Sequence, residues 1–235
     1  IAGLVRGASK GEGLGNQFLG HIRGVDAVLH VVRCFTDEDV VHVDGSVDPM
    51  RDIDTIDTEL IFADLDSCEK RIKRFAKAAK SGDKEAQLHL DVTERLMAIL
   101  ETGKPARAGE WTPEEALSVK DAQLITAKPV LYVCNVDESG LEGDNDFVTA
   151  VRERAATENA SVVVICGQVE AEISELDDDD RAAFLEDLGL EEPGLNRLAR
   201  GIYGLLGLHT YFTAGPKEIR AWTFRNGWTA PQCAG

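Results

Sequence analysis

The 235-residue chain is long enough for one large domain or two smaller ones, and its 43% hydrophobic content can supply a real core. A formal net charge of −17 excludes a surface that binds nucleic acid as a whole, so any contact with RNA must come from a local basic patch. No apolar run approaches membrane-spanning length, no signal-peptide pattern is present, and the five scattered cysteines (Cys34, Cys68, Cys134, Cys166, Cys233) lack C-x-x-C spacing, which sets aside a zinc site and fits a reducing cytosol.

Five glycines, Gly3, Gly7, Gly11, Gly13 and Gly15, open the chain and are too many for a helix, so the spacing predicts a mobile loop. A flexible linker is the plainer reading. An apolar helical pattern resumes at 18–25, which argues against it. Residues 25–35 read as a buried strand. Between 52 and 101 the pattern turns long and helical, with Ile53, Ile56, Leu60, Ile61, Leu65, Cys68, Ile72 and Phe75 at three- and four-residue steps. A turn at Ser81-Gly82-Asp83 and a return lined by Leu88, Val92, Leu96 and Leu100 predict an antiparallel, coiled-coil-like helical hairpin. Thr112, Pro113 and Glu115 mark a helix start.

Residues 130–134 form a short, wholly apolar run that reads as a strand buried on both faces. It ends in Asn135, with Glu138 three residues on. An Asn followed by an acid at such a strand end is the pattern of the base-reading loop of a P-loop nucleotidase, and strand ends are where α/β sheets bind ligands. The GTPase form is Asn-Lys-x-Asp. Here Val136 stands for the Lys and Glu138 for the Asp, which alters the loop away from guanine, while the carboxamide of Asn135 offers a donor and an acceptor to adenine. A helix follows at 146–156, a third buried strand at 161–166, an acid-led helix at 177–188 and a closing helix at 194–206. Residues 208–213 and 218–224 predict a β-hairpin, and Asn226-Gly227 a turn.

Taken together, the run from Ile1 to Asn16, the Asn135–Glu138 loop, the stretch Glu191 to Arg197, and the pair 208–215 with 218–223 resemble the YchF/Obg-like ATPase family over essentially the whole chain. The resemblance implies a P-loop NTPase of Rossmann-like parallel α/β fold, with an inserted antiparallel helical coiled-coil hairpin and the beginning of a β-grasp TGS domain. The implied domains are a nucleotide-binding domain at 1–51 and 126–203, a helical insertion at 52–125 and a TGS segment at 204–235. It implies a cytoplasmic, monomeric protein that binds and hydrolyses ATP with Mg²⁺ and associates with the ribosome. An Obg-type GTPase, or an RNA-binding scaffold without turnover, are the alternatives. The metal ligands and the phosphate-binding P-loop are expected upstream of Ile1, with no metal ligand in this chain, so the segment alone is expected to be inactive.

By the same resemblance Gly3 offers its N–H to the γ-phosphate, and Asn135, Val136, Glu138, Cys166, Gly167 and Gln168 surround the base. Leu4 stands where related GTPases carry a water-orienting Gln. His42 is the candidate to take over that role, with an ordinary surface-loop histidine as the equal alternative. Lys70, Arg71, Lys73, Arg74, Lys77, Lys80 and Lys84 cluster near the hairpin tip. They read either as a contact for rRNA phosphates or as a solvated helix face.

Overall fold

The structure, a computed structural model, describes residues 14–42, 45–216 and 218–233. Its contacts divide the chain into two compact units, one of residues 1–28 and 49–129, the other of 29–48 and 130–235.

The first unit is helical. Helix α1 (Leu14–Arg23) is followed, across the second unit's first segment, by α2 (Pro49–Lys80) and α3 (Lys84–Glu101). Thirty-two residues make α2 about 48 Å long at 1.5 Å per residue. The turn at 81–83 is closed by Asp83, whose carboxylate accepts the Ala86 N–H at 3.1 Å and caps α3. The hairpin seam is the predicted stripe: Ile61 and Cys68 of α2 pack with Val92, Leu96 and Leu100 of α3, and with Ala106 and Leu124. Helix α4 (Pro113–Ala122) begins in a capping box between Thr112 and Glu115. Asp64, fully buried in α2, accepts the N–H groups of Ile125 (3.0 Å) and Thr126 (2.7 Å) and the Thr126 hydroxyl (2.8 Å), with Arg23 3.9 Å away. Burial pushes its carboxyl upward, and those three bonds and Arg23 pull against it. Leu19 and Ile22 pack on Leu60, Ala63 and Ile125, so α1 groups with the hairpin.

The second unit holds a sheet ordered β1-β2-β3, from β1 (Val28–Arg33), β2 (Val130–Asn135) and β3 (Ser161–Ile165). β2 and β3 run parallel, with Asn135 beside Ile165. The Cys34 N–H reaches the Asn135 carbonyl at 2.8 Å, and the Val28 N–H reaches that of Pro129 at 3.0 Å, a constant offset that makes β1 parallel to β2 as well. β2 is buried throughout up to Asn135, as its apolar run predicts. β1 departs from the expected buried strand: Leu29 and Val31 are exposed, Val31 by 63%, because only one face of β1 packs inward. Helices α5 (Asp146–Thr157), α6 (Gly167–Glu175), α7 (Asp178–Asp187) and α8 (Gly194–Leu205) follow. The predicted thiols are buried: Cys34, Cys134 and Cys166 are at most 3% exposed. A bond to Cys134 together with burial pushes the Cys34 thiol far above the usual thiol range. In the first unit, burial pushes Cys68 up to about 12.

Helix α8 starts in an unusual way. Pro193 precedes it and gives no side-chain cap. The carboxylate of Glu170, on α6, accepts the N–H groups of Gly194 at 2.6 Å and Leu195 at 3.1 Å instead. Arg197, one turn on, donates to the Val164 carbonyl at 3.3 Å. Strands β4 (Leu208–Ala214) and β5 (Ile219–Arg225) form the predicted antiparallel hairpin, with Tyr211 opposite Trp222, and a short helix α9 (Ala230–Cys233) closes it through the Tyr211 hydroxyl on the Cys233 carbonyl at 2.6 Å.

Candidate nucleotide site and basic helix face

Three parallel strands deliver their C-terminal ends to one edge of the sheet, where the β1 exit at Arg33 and Cys34, the β2 exit at Asn135 and the β3 exit at Cys166 lie side by side. The carboxamide oxygen of Asn135 accepts the Gly167 N–H at 2.9 Å. The bond uses one lone pair of the Asn135 oxygen; it does not take up the second lone pair or the amide N–H groups. Asn145 makes a similar tie: it caps α5 through the Val148 N–H (2.9 Å) and donates to the Cys34 carbonyl (2.8 Å).

Glu138 opens a single 3₁₀ turn and is exposed. Asp137 caps that turn, accepting the Gly140 N–H at 2.9 Å and the Ser139 hydroxyl at 2.9 Å. Val136 has a buried side chain. Its N–H extends the ladder to the Ile165 carbonyl at 2.9 Å, which turns its side chain into the core, where it is 2% exposed. Gly140 packs against it so closely that a Cβ there would sit 2.7 Å from the Val136 Cβ. Cys166 is likewise buried, so only its backbone can line a site. Gly167 and Gln168 are exposed, and Gln168 donates to Glu172 at 3.2 Å.

His42 lies in a groove lined by Arg33, Thr36, Asp37, Glu38, Val40 and Val41 on the β1 exit loop. Arg33, which the sequence reading passed over, holds that loop: Nε donates to the Phe35 carbonyl at 3.1 Å, Nη1 to Val40 at 2.9 Å and Nη2 to Asp37 at 3.3 Å. The signal was an arginine inside the apolar run before Phe35. Gly3 and Leu4 lie outside the described residues.

In the first unit the basic cluster separates into two kinds of residue. Arg71 does not belong to a surface patch. Its side chain is only 10% exposed and is bonded to Asp121 (2.8 Å), Thr93 (3.1 Å) and His89 (2.9 Å), bridging α2, α3 and α4. That contact holds the Asp121 carboxyl below the usual range. Lys70 and Lys73 are outward, 73% and 77% exposed, each beside an acid one turn earlier, Asp66 and Glu69. Arg74, Lys77, Lys80 and Lys84 are exposed around the tip. Among the described residues no cluster of three or more His, Cys, Asp or Glu side chains is placed to hold a metal ion, and no helix is long and apolar enough to cross a membrane.

A parallel α/β sheet whose loops meet at the strands' C-terminal ends, with a long helical hairpin beside it in sequence, is of the P-loop NTPase fold class. The solved structure of the Schizosaccharomyces pombe YchF GTPase matches it with a TM-score of 0.84 at 33% identity, over 100% of this chain and 64% of that one. Proteins named Ribosome-binding ATPase YchF are similar throughout: that of Haemophilus influenzae is 55% identical over 234 residues and that of Bacillus subtilis 53% over 237, covering 100% of this chain in each case and 64% and 65% of theirs. The YchF-GTPase_C family, described as "Protein of unknown function (DUF933)", matches residues 208–235. The chain resembles the YchF proteins over its whole length, and spans less than two thirds of theirs.

Proposed function

We propose that this protein is a ribosome-associated P-loop NTPase that hydrolyses ATP. The observation that carries the base preference is an exposed Glu138 beside a core-facing Val136, at the positions where a GTPase loop has Asp and Lys. Asn135, held by its bond to the Gly167 N–H, offers an amide donor to N7, which both purines carry, so the discrimination falls to the other two positions. The longer arm of Glu138 crowds the position from which the Asp of a GTPase loop grips the guanine edge. No lysine covers the base either, since Val136 is in the core. The relatives named for ATP and ribosome binding support the same reading. The neighbour described as a GTPase supports a second reading, a guanine-specific enzyme.

In this reading His42 orients the attacking water in place of the vacant glutamine position at Leu4, Gly3 approaches the γ-phosphate, and Mg²⁺ comes with the nucleotide and takes its ligands outside the described residues. The exposed lysines and Arg74 of the hairpin tip meet rRNA phosphates. Competition titration of the full-length protein with ATP and GTP tests the base preference. Tighter binding of ATP is expected, and tighter binding of GTP would establish the second reading. Turnover of wild type and His42→Ala, each with and without ribosomes, tests the rest. The variant should bind ATP normally and lose ribosome-stimulated hydrolysis; equal stimulation of both would remove His42 from the mechanism.

A further inference from the structure

We propose that Arg33 is a positioning residue of this site, its single guanidinium setting the path of the loop that delivers His42 to the nucleotide. This rests on the reading of His42 given above. Residues 36–40 are exposed, and Val41 is 90% exposed, so apolar packing does not hold the loop where it leaves the sheet. Its internal bonds are local: the Asp39 N–H on the Asp37 carboxylate at 2.9 Å and the Val40 N–H on the Asp37 carbonyl at 3.4 Å. Arg33 ties the loop back to the sheet: its three nitrogens donate to the carbonyls of Phe35, Asp37 and Val40, and its Cζ lies 4.6 Å from the centroid of the Phe35 ring. A rigid planar fork can satisfy three carbonyls at fixed angles; a lysine ammonium on a flexible stem cannot. The last anchored carbonyl, Val40, is two residues before His42. The first residue after Arg33 is Cys34, whose N–H is bonded to the Asn135 carbonyl at 2.8 Å. The position of His42 is thereby referred, through Arg33, to the strand end that carries the base loop.

The test is steady-state ATP turnover with ribosomes by the full-length protein as wild type, Arg33→Ala, Arg33→Lys, His42→Ala and the double variant Arg33→Ala/His42→Ala. A displaced catalytic group costs rate without binding, so Arg33→Ala should lose about 10²-fold in kcat with KM for ATP unchanged. Arg33→Lys keeps the charge and stem and should recover only part of that loss. It also provides the readout if the alanine variant proves unstable. Because Arg33 acts through His42, the double variant should turn over no more slowly than His42→Ala alone. Normal kcat in Arg33→Ala beside a dead His42→Ala overturns the inference, as does a loss of equal size in both backgrounds or one confined to KM. Full turnover by His42→Ala is a different outcome, the failure of the His42 reading itself.

Discussion

The side-chain oxygen of Asn135 and the backbone N–H of Gly167 are 2.9 Å apart, so the loops leaving β2 and β3 are fastened by one hydrogen bond. Asn135→Ala removes the acceptor and the donor offered to a base together. We expect ATP affinity to fall about ten- to a hundredfold, the worth of one or two lost polar contacts. Gly167→Ala is the milder probe, since its Cβ would meet the Asn135 oxygen at 3.2 Å and force it to yield slightly. Titration of ATP against both variants should rank them in that order.

Rebuilding the guanine-type loop will not be a simple swap. Val136→Lys sends an ammonium into a site that is 2% exposed and closed by Gly140. It should destabilise the protein by about 3 kcal/mol or more, seen as a lower midpoint in urea, before any change of base preference can be read. Glu138→Asp is exposed and should leave stability within about 0.5 kcal/mol while shifting the ratio of GTP to ATP affinity upward.

The basic residues of the hairpin should divide in the same way by experiment. Charge reversal at Lys73, Lys77 and Lys80 should weaken ribosome co-sedimentation and flatten its salt dependence without lowering the thermal midpoint. Arg71→Ala should do the opposite. It leaves Asp121 and His89 without their guanidinium, so it should lower stability while sedimentation of the folded protein is unchanged.

Asp64→Asn tests the buried tie between α2 and residues 125–126. An amide cannot supply the two oxygens that take three hydrogen bonds, so a loss of about 3 kcal/mol is expected. The pH dependence has a definite sign. Burial raises the Asp64 carboxyl above its ordinary value near 3.8, so over the interval from there up to the folded value the folded state holds the proton more tightly than the unfolded chain. Its contribution therefore declines as pH rises across that interval. The gap in unfolding free energy between wild type and Asp64→Asn should narrow upward in pH, measured by urea denaturation at a series of pH values.

Periodicity made most of the fold legible. The strand at 130–135 is a run of apolar residues bounded by a proline and an Asn, and the hairpin seam is a stripe at helical steps; both are local signals. The burial of Val136 is not legible because the sequence does not say where the ladder stops. One further bond, to Ile165, carries the ladder past Asn135, and the Val136 side chain lies in the core. Its apolar character was the available hint. Arg71 lies three residues after Cys68, on the edge of the inward stripe, yet its partners come from residues 89, 93 and 121, which no spacing on α2 could reveal. Arg33 was overlooked for the same reason in miniature: its acceptors are backbone carbonyls, which have no signature in a sequence.

The borrowed cap on α8 bears on how the molecule assembles. A helix that begins with its own Ser or Asp can start forming as soon as its residues are synthesised, whereas α8 waits for a carboxylate 24 residues earlier in the chain to be held in place by α6. Its first turn is thus capped by a non-local contact, and we expect it to be completed after α6 has formed. Glu170→Gln should accordingly leave early collapse of the sheet intact and slow the late acquisition of helix, a kinetic order that stopped-flow circular dichroism can resolve.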